Sequence, residues 1–129
     1  MPQTNTEPEE LLPLTPAAFH VLLALTDGER HGYAIMREVE ESTGRRICMG
    51  PGTLYGTIKR LLAARMIEES DERPDPELDD ERRRYYRLTA LGQQVVRAEA
   101  SRYAEIAELA RRKRLIGKPI QAAQTGGLS

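Results

Sequence analysis

A chain of 129 residues fits one domain of ordinary size and leaves no room for two. Hydrophobic residues make up 40% but aromatic ones only 5%, with no Trp and a single Phe, so the core must be modest and aliphatic, and a large substrate-enclosing cavity is not expected. The formal net charge of -1 excludes a uniformly basic surface, yet the two signs are not evenly mixed. Between Glu68 and Glu81 nine acids stand against Arg73 alone, a net of -8, which leaves +7 on the rest of the chain. Because phosphate attraction acts within a Debye length of about 8 to 10 Å, a locally basic face remains open.

The elements follow in chain order. Residues 1–12 carry Glu7, Glu9 and Glu10, Pro2 and Pro8, and no apolar period, and read as an acidic, disordered arm. An acidic start is the opposite of a signal peptide, and no apolar run approaches the about 20 residues that span a bilayer, so a soluble, cytoplasmic protein with no membrane association is expected. Thr15 before Pro16 opens a first helix, with Ala18, Val21, Leu22 and Leu25 at helical spacing until Asp27-Gly28. Ile35, Met36 and Val39 mark a second helix from about Gly32 to Thr43-Gly44. Arg46 to Met49 is read as a short extended piece. After Gly50-Pro51-Gly52-Thr53, the stripe Leu54, Ile58, Leu61, Leu62 defines a third helix whose outward face carries Thr53, Gly56, Lys59, Arg60 and Ala63, with Tyr55 at its flank.

Met66 to Glu69 and Arg82 to Leu88 read as two strands of a hairpin, because Pro74 and Pro76 bar regular structure in the acidic stretch between them. Period-two alternation sets Arg84, Tyr86 and Leu88 on one face and Arg83, Tyr85 and Arg87 on the other, and Tyr86 is expected to be the buried tyrosine. Thr89 caps a last helix, Ala90 to Leu115. About 26 residues make a rod of about 39 Å, longer than the small body covers. Its stripe of Leu91, Val95, Ala98, Ile106 and Leu109, with Tyr103 beside it, is expected to meet a second copy. Residues 117–129 read as a flexible tail.

The fold expected is mainly α with a small β-hairpin: a winged helix-turn-helix over residues 13–89 and a long C-terminal dimerisation helix over 90–116. Such a fold offers its third helix to a major groove. Lys59 and Arg60 then reach phosphates or guanine edges, Gly56 permits close approach, Thr53 and the helix N-terminus suit a phosphate, and Tyr55 packs either on the sugar-phosphate backbone or at the flank of the core.

Five stretches, Leu14-Thr15-Pro16, His31-Gly32-Tyr33, Pro51-Gly52-Thr53-Leu54-Tyr55, Arg83-Arg84-Tyr85-Tyr86-Arg87-Leu88-Thr89 and Leu91-Gly92, resemble the signatures of PadR-like transcriptional regulators. The similarity runs from about Leu14 to Leu115. It implies a homodimeric repressor that binds a double-stranded operator and that, in some members, a small hydrophobic effector releases. With one long helix after the wing, the chain resembles the short form of the family. Two departures are visible: Arg65-Met66 stands where relatives usually stop a helix with Gly, and the wing loop is long and acidic, so phosphates would repel it.

Plainer readings stand beside these. Lys59 and Arg60 on an exposed face can be merely solvated, and the arginines from Arg82 to Arg84 can neutralise Asp79, Asp80 and Glu81 as well as contact phosphate. Cys48 reads as a small buried hydrophobe, with a redox switch as the lesser alternative. His20 and His31 have no catalytic or metal-binding partner at a recognised spacing, so no enzyme, cofactor or metal is expected. The alternative function is a winged-helix interaction module that docks a basic partner through the acidic loop.

Overall fold

The computed structural model describes residues 7–70 and 84–118. A 3-10 turn, Pro8–Leu11, leads to α1 (Pro16–Ala24), β1 (Arg30–His31), α2 (Gly32–Ser42), α3 (Pro51–Ala63), β2 (Ile67–Glu69), β3 (Tyr85–Leu88) and α4 (Ala90–Arg112). A compact unit ends at Glu99, and a second begins at Ala100 within α4. None of the described helices is long and apolar enough to cross a membrane.

Three helices, α1, α2 and α4, start where a side chain accepts from a free N–H group of the first turn. The Thr15 hydroxyl accepts from the Ala18 N–H at 3.1 Å, with Pro16 at the first helical position. His31 caps α2, its Nδ1 accepting from the Ala34 N–H at 3.1 Å. Thr89 Oγ1 accepts from the Gly92 N–H at 3.0 Å and donates to the Arg65 carbonyl at 2.6 Å, tying the start of α4 to the end of α3.

The ends of α2, α3 and α4 share one device. The residue after the C-cap turns left-handed, and the next N–H returns to a carbonyl five residues back: Arg45 to Glu40, Met66 to Leu61 and Leu115 to Ala110. Gly44 makes that turn in α2, but arginines make it in the other two, Arg65 with φ 63° and Arg114 with φ 63°.

The core gathers Leu22, Ile35, Leu54, Ile58, Ile67 and Val95 from three helices, β2 and α4. Burying each such side chain is worth about 1.5–3 kcal/mol, and α1 lies against both α2 and α3. The sheet has the order β1-β3-β2, all antiparallel, with Arg30 opposite Tyr86, and Glu68 opposite Arg87. This is a winged helix-turn-helix.

Several expectations change here. The hairpin has a third strand, β1, which is too short to show a period of its own and exists because β3 offers it a free edge. No strand forms over residues 46–49, although burial alternates there, with Ile47 and Met49 turned in and Arg46 and Cys48 out. Cys48 is exposed and not buried; its Sγ lies 3.5 Å from the Arg45 carbonyl. Leu11 and Leu12, expected within the acidic arm, pack on the core, and residues 1–6 lie outside the described residues. Tyr86 is buried, as its alternation with Leu88 indicated. Arg83, Pro74, Pro76 and most of the acidic loop lie outside the described residues.

Candidate nucleic-acid interface

The α3 helix is anchored by Leu54, Thr57, Ile58 and Leu61, all buried. Thr57 joins the apolar side because position i+3 from Leu54 falls on the same face. The opposite face carries Thr53, Lys59, Arg60 and Ala63 exposed and Gly56 half-buried. Pro51 takes the first helical position behind Gly50, which gives no side-chain cap, so Thr53 sits at the third position, where backbone N–H groups still lack helical partners.

The two cations on this face differ. Lys59 has no ion-pair partner among the described residues. Arg60 curls back over its own helix, with Nη2 donating to the Thr57 hydroxyl at 3.3 Å, while its Nη1 comes within 3.7 Å of where a Cβ on Gly56 would lie. The small residue therefore opens the surface and also seats the guanidinium. Tyr55 leaves this face altogether. It packs half-buried against α2, and a Cβ on Gly32 would stand 2.5 Å from its hydroxyl oxygen, so it braces α3 on α2.

On the wing, Arg87 and Arg84 are exposed but meet acids of the neighbouring strand. Arg87 Nε lies 2.9 Å from Glu68 Oε2, and Arg84 Nη1 lies 3.9 Å from Glu69 Oε2. Pairs this exposed are worth about 0–1 kcal/mol, so either arginine can exchange its carboxylate for a phosphate at little cost. Arg30 serves the fold: its Nε donates to the Ala24 carbonyl at 2.8 Å, closing the end of α1, and its Nη2 faces Asp27 and Glu38 at 3.8 and 3.7 Å. Its role had no periodic signal in the sequence.

The α4 stripe divides into two. In the first unit, Val95 is 0% exposed and belongs to the core, Leu91 packs against that core, and Ala98 is half-buried; Val95 is thus not available to a partner. In the second, Tyr103, Ile106 and Leu109 are 43%, 51% and 44% exposed at helical spacing, with the Arg102 guanidinium 5.2 Å from the Tyr103 ring centre. Glu99, between these groups, is fully buried, and its Oε2 accepts from the Leu14 N–H at 2.9 Å. Glu99 stands at i+4 from Val95 and i+3 from Val96, so helical spacing puts it on the buried face of α4, a signal that its acidic side chain masks in the sequence.

No cluster of three or more His, Cys, Asp or Glu among the described residues could hold a metal ion. A groove of about 740 Å³ opens beside Leu62, Ile67 and Leu91, rimmed by Arg65, Glu68 and Thr89.

Comparison with known proteins places this geometry. A PadR family transcription regulator from Clostridium difficile superposes with a TM-score of 0.62 at 21% identity, over 76% of this chain and 97% of that one. RosR of H. salinarum does so with a TM-score of 0.60 at 28% identity, over 81% and 89%. Bacillus subtilis PadR, solved in complex with operator DNA, aligns at 20% identity with a TM-score of 0.55, over 85% of this chain but 52% of that protein. An uncharacterized 37.1 kDa protein in a transposon of Streptomyces fradiae is 37% identical over 86 residues, 67% of this chain, and the match spans only 22% of that protein. The model of the transcriptional regulator PadR-like family matches residues 21–98, a span that runs from inside α1 to the first turns of α4, and the chain therefore belongs to the PadR-like family of transcriptional regulators.

Proposed function

We propose that the chain is a cytoplasmic, homodimeric repressor that reads an operator by laying the exposed face of α3 in a major groove. The observation that carries this reading is the division of α3, with Leu54, Ile58 and Leu61 buried on one side and Thr53, Gly56, Lys59 and Arg60 displayed on the other. Small residues at Thr53 and Gly56 let the helix approach base edges, while Lys59 supplies a cation able to reach phosphate or guanine. Two half-sites about one helical turn apart require two such helices, and the exposed Tyr103, Ile106 and Leu109 provide the pairing surface. Arg84 and Arg87 contribute flanking phosphate contacts from the wing, and Arg83, which lies outside the described residues, is assigned the same role from the sequence. Release by a small apolar effector is assigned to the groove beside Leu62, Ile67 and Leu91.

Fluorescence anisotropy against a duplex from the chain's own upstream region and a scrambled control, at two salt concentrations, tests the reading. Tight binding to the first and weaker binding to the second support it, and Lys59→Ala then lowers affinity with unchanged thermal unfolding. Lys59→Ala is the cleaner probe, because Arg60→Ala also strips the buried Thr57 hydroxyl of its partner. A selective loss of about 1–3 kcal/mol marks a base contact, and a sequence-independent loss with a salt slope reduced by about one marks a phosphate contact. Equal operator affinity for wild type and variant would overturn the role of Lys59, and equal, weak binding to both duplexes would count against specific recognition of that region.

A further inference from the structure

From Ser42 to Ile67 the chain contains five cationic residues, Arg45, Arg46, Lys59, Arg60 and Arg65, and no acid. Two of them, Arg45 and Arg46, form the turn that joins α2 to α3, and both are exposed. Neither has an ion-pair partner among the described residues, in contrast to Arg30, Arg84, Arg87 and Arg111, each of which faces a carboxylate.

The turn is firmly built. Thr43 Oγ1 donates to the Val39 carbonyl at 2.7 Å and accepts from the Ile47 N–H at 3.1 Å, and the Arg46 N–H reaches the Thr43 carbonyl at 3.1 Å. Met49 is buried and Ile47 half-buried, so the residues between and before them are turned outward. Arg45 adopts φ 67° directly after Gly44 at φ 60°. An L-residue in that region costs roughly 1–2 kcal/mol, and glycine would meet the same backbone demand without a side chain. The fold thus holds two guanidinium groups on a rigid turn, one of them in a conformation that favours glycine, with no carboxylate paired to either among the described residues.

We propose that Arg45 and Arg46 are phosphate-binding residues that extend the DNA interface from α3 onto the α2–α3 turn. The inference rests on the DNA-binding reading above and deepens it. A guanidinium on a fixed turn contacts the sugar-phosphate backbone beside the groove that α3 enters, fixing register while contributing no sequence preference.

The test uses the full chain and a labelled random-sequence duplex, so that only the sequence-independent term is measured. Arg45→Gly removes the cation and relieves the left-handed strain; Arg46→Gln removes the other charge. Each is expected to weaken binding roughly tenfold at about 0.1 M salt and to lower the slope of log affinity against log salt by about one, while Arg45→Gly unfolds at the same temperature or higher. A merely structural Arg45 would give the rise in stability without the loss of affinity. The exposed thiol of Cys48, the single cysteine, supplies a second readout, since it is turned outward with Arg46: saturating duplex should slow its reaction with an aromatic disulfide reagent several-fold. Wild-type affinity and slope in both variants, or an unchanged thiol rate, overturns the proposal. If Lys59→Ala weakens binding in the same assay while the turn variants do not, only this inference falls; if the wild type binds no duplex at any salt, the DNA-binding reading falls and takes the inference with it.

Discussion

The backbone N–H of Leu14 donates to the carboxylate of Glu99, 85 residues further along the chain and fully buried. This bond fastens the segment before α1 to α4 and gives a buried acid one of its partners. Removing the acceptor strands a part-buried donor, which typically costs about 1–3 kcal/mol. Glu99→Ala is therefore expected to lower stability by that amount in denaturant unfolding. Glu99→Gln retains a carbonyl oxygen at the same reach and should cost clearly less. Equal losses for both variants would show that the charge, and not the acceptor, is what the site requires.

Gly92 lies against the carbonyl of Met66, and a Cβ at that position would overlap the oxygen well inside van der Waals contact. The obstacle is backbone, pinned by the Thr89 N–H at 3.0 Å, so it cannot swing away as a side chain would. Gly92→Ala is expected to destabilise by about 3 kcal/mol or more, the upper end of overpacking costs. A thermal midpoint equal to wild type would show that α4 can shift freely on the α3–β2 junction.

Arg65 occupies the left-handed position that ends α3, with φ 63°. The Arg65 and Met66 N–H groups bond to the carbonyls of Leu62 and Leu61, each at 3.0 Å. Arg65→Gly keeps both bonds and removes the Cβ clash. Against glycine's greater entropy in the unfolded chain, a net stabilisation of about 0.5–1 kcal/mol is expected. Chemical denaturation with an unchanged slope checks it, and a loss of stability would mean that the Arg65 side chain contributes contacts worth more than the strain.

Ile106 and Leu109 are half exposed on the second half of α4 and lie outside the core cluster. Ile106→Glu or Leu109→Glu should leave the helix and core intact, while burying a charge in the proposed pairing surface is expected to disfavour association by several kcal/mol. Light scattering at micromolar concentration is expected to give a dimer for wild type and a monomer for either variant, with operator affinity lost alongside. A monomeric wild type would remove the basis for two coupled recognition helices.

Much of this molecule was legible because its signals are local. Thr15-Pro16 announces a helix start through one side-chain oxygen and one fixed φ, and the spacing of Leu54, Ile58 and Leu61 fixes which side of α3 is buried, leaving Thr53, Lys59 and Arg60 outside. Tyr86 followed from alternation with Leu88 on a short strand. These features depend on backbone geometry repeated over a few residues, which a sequence carries without knowledge of what lies across from it.

The tertiary structure decided what depends on distant partners. Glu99 shares a helical face with Val95 and Val96, but the partner that lets an acid be buried there, the Leu14 N–H, comes from 85 residues away, and Val95 belongs to a partner-facing stripe only until the core of its own chain covers it. Arg30 and His31 become a strand because the β3 edge is free, and His31 becomes a cap because α2 begins at that point. Tyr55 is drawn from the α3 flank onto α2 because Gly32 leaves room for its ring. Cys48 is exposed because its neighbours Ile47 and Met49 face the core and so turn the thiol outward. Periodicity specifies which side of an element is apolar, but whether a given side chain is covered, and by what, is set by long-range packing.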